Sequence, residues 1–158
     1  MSSYSAYSGS GQDQIDPFNA SDSNIWRKAE YLGRYLFAAD FLRPHRPDLV
    51  ADISCGRGYG AAELAGVAER VIGVDGNQSL IEWAKRSFEK DNLTFIYKDL
   101  NEEELYPDIA EESASAVISF ETLEHLLDPK EAISQFNRVL QPGGIFIASV
   151  PNVLSESA

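Results

Sequence analysis

Apolar residues along this chain fall into two alternating patterns. Ile25, Ala29, Leu32, Leu36 and Ala39 recur at helical spacing, Ser23 is placed to cap the start, and Pro44 and Pro47 end the run. Leu49 to Ile53 is a short continuous apolar stretch, which predicts a buried strand, and it runs into Gly56, Gly58 and Gly60. The pairing then repeats. Ala61 to Val67 predicts a helix, and Val71 to Val74 a strand ending at Asp75. Ser79 to Lys90 predicts a helix opened by a capping box of Ser79 with Glu82, and Thr94 to Tyr97 a third strand. Ala116 to Phe120 predicts a fourth strand. Asp128-Pro129 opens a helix with proline at its first position and Ile133, Phe136, Val139 and Leu140 inward. Pro142-Gly143-Gly144 is expected to stop that helix before a fifth strand from Ile145 to Val150. Unbroken apolar strands alternating with helices predict a doubly wound α/β fold, a mostly parallel sheet with helices on both faces.

Composition narrows what such a fold can do here. The chain has 158 residues, enough for one domain with its own core. Thirteen Lys and Arg face 25 Asp and Glu, a net charge of −12, which argues against backbone-driven nucleic-acid binding and against an anionic membrane surface. One cysteine excludes an internal disulfide framework and fits a reducing compartment. With no apolar run of membrane-spanning length and no signal-peptide pattern at the start, a cytoplasmic protein is expected. Residues 1–22, rich in Ser, Gly and Tyr, are expected to be a mobile tail, residues 23–152 the domain, and residues 153–158 a second tail. The acidic stretch from Asp99 to Glu112 reads, beyond Asp99 itself, as a solvated face.

The candidate chemistry lies where the strands end. Asp52-Ile53-Ser54-Cys55-Gly56-Arg57-Gly58-Tyr59-Gly60 follows a strand and opens a helix, the place where an open α/β sheet binds ligands. Glycines there let backbone approach a ligand closely. A carboxylate at Asp75 can accept both hydroxyls of a ribose, and one at Asp99 can accept from an adenine amino group. The Gly56-x-Gly58-x-x-Ala61 spacing also satisfies a dinucleotide fingerprint, so a nicotinamide-dependent oxidoreductase is an alternative.

Taken together, from about Glu30 to Asn152, these stretches resemble the class I S-adenosylmethionine-dependent methyltransferases. The resemblance rests on the glycine loop, Val74-Asp75, Lys98-Asp99-Leu100, Ser119-Phe-Glu-Thr-Leu-Glu-His-Leu126 and Arg138-Val-Leu-Gln-Pro-Gly-Gly-Ile145, in that order. Ser54 departs from it, standing where the family usually has glycine. The Gly-Tyr-Gly loop points to members acting on small-molecule or saccharide-type acceptors. The resemblance implies that Asp52, Ser54, Gly56 and Gly58 hold the methionine end of S-adenosylmethionine, with Arg34 on its carboxylate. It implies Asp75 on the ribose, Gly76, Asn77, Asp99 and Leu100 around the adenine, and Phe120 under the sulfonium. S-adenosylhomocysteine would be the product. Glu121 and His125 are the catalytic candidates, His125 as a base for a hydroxyl acceptor. No metal is expected, with a metal-assisted O-methyltransferase using Glu121, Glu124 and His125 as an alternative. The family fold carries two further strands beyond the fifth. Their lack here predicts that the open sheet edge is covered by a missing C-terminal segment or by a second copy, and leaves a non-catalytic nucleoside-binding module as another alternative.

Overall fold

The computed structural model describes residues 25–152, with side chains from residue 28 onward. The two expected tails and the Ser23 cap lie outside the described residues. The elements are α1 (Ile25–Leu42), β1 (Leu49–Ile53), α2 (Tyr59–Leu64), β2 (Arg70–Asp75), α3 (Gln78–Ser87), β3 (Leu93–Tyr97), β4 (Ala114–Phe120), α4 (Pro129–Val139) and β5 (Leu140–Ser149), with short 3₁₀ turns at Arg43–His45 and Leu123–His125. The strands form one parallel sheet in the order β3-β2-β1-β4-β5.

Strand alternation sorts the core into two layers. Val50, Val71, Phe95, Ala116 and Ile118 face α1, α2 and α3, against Ala38, Leu42, Leu64, Ile81 and Ala84. Leu49, Ala51, Ile53, Ile72, Val74 and Val117 face the other way, onto α4 and the loop after β3. β1 is buried at all five positions because both of its faces are covered. The chain turns outward in opposite directions from β1 and β4, so the crevice at their carboxyl ends is a topological switch point.

Local expectations were met unevenly. α4 starts as anticipated, with Asp128 accepting from Lys130 N and Glu131 N and Pro129 in the first turn. α2 occupies Tyr59–Leu64 rather than Ala61 to Val67, since backbone at Gly58 already turns the chain. The cap of α3 is Asn77, whose side chain accepts from Ser79 N and Leu80 N. Glu82 accepts from Gln78 Nε2 instead of closing a box with Ser79. α4 ends at Val139, and Pro142-Gly143-Gly144 forms an irregularity inside β5, where the register jumps from Ala114–Leu140 to Ala116–Ile145. The acidic stretch is more than a solvated face. Leu105 and Ile109 sink into the core between its charges, Asp108 pairs with the buried Lys98 at 2.8 Å, and Glu104 and Glu111 flank Arg138.

Candidate functional site

Two neighbouring clusters form at the carboxyl ends of the strands. The first is a solvent-open cleft of about 390 Å³ lined by Ser54, Asp75, Gly76, Asp99 and Leu100, all anticipated, and also by Lys98, Asn101, His125 and Leu126. Asp75 organises it from the end of β2. Its Oδ2 accepts from Gly56 N and its Oδ1 from Asn77 N, both at 2.8 Å, so one carboxylate ties the glycine loop to the turn into α3. Burial raises the Asp75 carboxyl, and these two backbone donors hold it down in part. Asp99 Oδ1 accepts from Asn101 N and Nδ2. His125 lines this cleft together with Asp99 and Leu126.

The second cluster centres on Tyr35, which follows Arg34 directly on α1 and carries no motif signal of its own. Its ring packs edge-on against Tyr59 and Phe120, with centroids 5.5 and 5.0 Å away. Its hydroxyl donates to Asp52 Oδ1 at 3.1 Å. Asp52 is 0% exposed, and its Oδ2 has no hydrogen-bond partner among the described residues. Burial pushes the Asp52 carboxyl up to about 7, against the hydrogen bond from Tyr35 and with the help of the nearby Asp75 charge. Arg34 Nη2 lies 2.7 Å from Glu30 and 3.4 Å from Glu121, while the buried Nη1 has no partner among the described residues. Ser149 Oγ donates to Glu121 Oε1 at 2.8 Å, so α1, β4 and β5 meet at this carboxylate.

The glycines of the loop divide by role. A Cβ on Gly60 would lie 2.1 Å from the Tyr35 ring, and one on Gly58 2.6 Å from Phe95. These two make room for aromatic packing. Gly76 has only ordinary contacts around it, the nearest being the Asp99 Cα at 3.5 Å. Ser54 takes φ +64°, a left-handed conformation that explains glycine at this place in the family.

Asn77, expected beside the adenine, has two local roles in the structure. It fixes Asp75 and caps α3. Glu121, Glu124 and His125 do not share a helix turn. Glu121 precedes the 3₁₀ turn at φ +53° and turns toward Arg34 and Ser149, and no group of three His, Cys, Asp or Glu among the described residues could hold a metal ion. Lys98, Asn101 and Ser149 were also missed. Their roles depend on which loops meet, and their spacing carries no signal of that.

The fold is a doubly wound α/β domain with its crevice at the switch point of the sheet, and the chain belongs to the methyltransferase domain family, whose profile matches residues 51–148. A Mycolicibacterium smegmatis protein named "Probable S-adenosylmethionine-dependent methyltransferase" is 36% identical over 68% of this chain and 40% of its own length. A ubiquinone biosynthesis O-methyltransferase of Dinoroseobacter shibae is 29% identical over 79% of this chain and 52% of its own. The solved S-adenosylmethionine-dependent methyltransferase from Mesorhizobium loti shares the fold, with a TM-score of 0.62 at 20% identity over 74% of this chain and 52% of that one. The chain thus spans about half or less of these proteins. The match sets the nicotinamide reading aside. Among the described residues, no helix is long and apolar enough to cross a membrane.

Proposed function

We propose that this domain binds S-adenosylmethionine across the carboxyl ends of β1 to β4 and serves methyl transfer to a small-molecule or saccharide-type acceptor. The observation that carries the reading is the pair of buried, unpartnered atoms of opposite kind beside the cleft, Arg34 Nη1 and Asp52 Oδ2. A donor and an acceptor left open within one cluster suit the carboxylate and ammonium of an amino acid, and burying either without a partner is costly. When bound, S-adenosylmethionine supplies a methyl group already activated on a sulfonium, which leaves the protein mainly to orient it.

The residues divide that task. Asp52 takes the ammonium and Arg34 the carboxylate, with Glu30 and Glu121 holding the guanidinium in place. Ser54, Gly56 and Gly58 supply the loop over which this end lies. Asp75, fixed by two backbone donors, keeps lone pairs for ribose hydroxyls. Gly76, Asp99 and Leu100 take the base, with Asn77 holding the turn beneath it. Phe120 and Glu121 form the floor toward the acceptor. His125 shapes the base end of the cleft, and Glu121 is the nearer candidate to draw a proton from a hydroxyl. The relatives named for O-methylation favour such an oxygen acceptor.

Isothermal titration with S-adenosylmethionine and S-adenosylhomocysteine tests this. Wild type is expected to bind both, and Asp75→Ala to weaken binding by about tenfold or more, the worth of a hydrogen bond to a charged group. Binding that Asp75→Ala leaves untouched removes the ribose assignment.

A further inference from the structure

Asn101 joins the two walls of the cleft through a single side-chain amide. On one side its backbone N and its Nδ2 both donate to Asp99 Oδ1, at 3.0 and 3.2 Å. On the other its Oδ1 accepts from Leu127 N at 2.9 Å, at the end of the segment that brings His125 and Leu126 into the cleft. The first wall follows β3 and the second follows β4, so they are distant in sequence and come from strands that are not neighbours in the sheet. An amide is suited to this bridge because it donates from one atom and accepts at the other. Both donors fall on Oδ1 of Asp99, and Oδ2 takes no hydrogen bond from the described residues.

We propose that Asn101 is the positioning residue that makes this site select an amino-substituted purine: it turns Asp99 so that Oδ2 faces the base edge and holds the opposite wall at the matching distance. This rests on the nucleoside reading given above and deepens it. Asn101 need not touch the ligand. It acts by fixing the acceptor in advance, so that a base lacking the amino group leaves a fixed carboxylate oxygen without its donor.

The test is titration calorimetry of the full chain with S-adenosylhomocysteine and with its 6-desamino analogue, in which purine replaces adenine. Wild type is expected to prefer the adenosyl compound by about tenfold or more, the usual weight of a hydrogen bond to a charged group. In Asn101→Ala, which leaves the backbone N–H alone on Asp99 Oδ1 and frees Leu127 N, the wild-type preference is expected to shrink toward parity, the loss falling on the adenosyl compound. Should that variant fail to fold by circular dichroism, Asn101→Asp carries the test. It is isosteric, still accepts from Leu127 N, and replaces the Nδ2 donor with an oxygen facing Asp99. A variant that weakens both ligands by one common factor, keeping the wild-type ratio, overturns the proposal and leaves Asn101 a merely structural residue. Wild type binding both ligands equally overturns it too, while the nucleoside reading stands. Wild type binding neither overturns both.

Discussion

At the scale of single residues, burial decides more than identity. Asp52 and Asp99 both follow apolar runs and look alike in sequence, yet Asp52 is fully enclosed and Asp99 only half-buried. Enclosure gives Asp52 a pH signature. Its carboxyl rises from the ordinary 3.8 to about 7, so the folded state holds a proton that the unfolded state has released. Stability from this group is therefore fullest below about pH 4 and falls as pH rises through 7, by about 4 kcal/mol. Asp52→Asn is expected to remove that decline, read by urea unfolding between pH 4 and 8. An ammonium group beside Asp52 favours the ionised form, so binding of S-adenosylhomocysteine, whose ammonium is placed there, is expected to tighten over the same range. The glycines make a second contrast. Gly60→Ala drives a methyl into the Tyr35 ring and is expected to cost about 1–3 kcal/mol, seen as a lower Tm. Gly76→Ala meets ordinary contacts and is expected to leave Tm unchanged.

At the scale of elements, the periodicity located every α-helix and strand among the described residues, and β1 kept its ends while several others moved. The ends are set by which side chain reaches a free backbone N–H, and Asn77, Gln78 and Ser79 are all plausible from sequence beside one another. The structure gives the cap of α3 to Asn77, so Asn77→Ala is expected to cost about 1 kcal/mol while Ser79→Ala costs little. Thermal unfolding of the two variants separates them. The Pro142-Gly143-Gly144 turn shows the same limit. It reads as a helix stop, yet Val139 has already ended α4, and the turn is spent on a register shift against β4. Proline and glycine mark a departure from regular structure without saying of which element.

For the whole molecule, the sheet order leaves β5 at one margin, and among the described residues no strand pairs with its outer side. Its side chains are correspondingly less covered than those of β1, with Phe146 exposed, as is Val150 just past its end. Unpaired edges recruit partners. The chain is expected to associate as concentration rises, seen by light scattering, and Ala148→Lys, a charge at an exposed edge position, is expected to reduce it. Scattering that stays flat with concentration in the wild type would show the edge to be protected.

The sequence by itself determined the fold class, the parallel sheet and the strand ends at which Asp52, Asp75 and Asp99 stand, because burial on both faces of a strand and on one face of a helix leaves a periodic trace. It also determined the glycine loop, since Gly56 and Gly58 take positive φ that other residues adopt at a cost. Only the tertiary structure decided which polar groups meet. Tyr35 reaches Asp52 across 17 residues, Lys98 finds Asp108 within the acidic stretch, Asn101 spans 26 residues to Leu127, and Glu121 turns away from His125 toward Arg34 and Ser149. Hydrogen bonds and ion pairs act over a few ångströms between atoms on different loops, and no spacing along the chain records them.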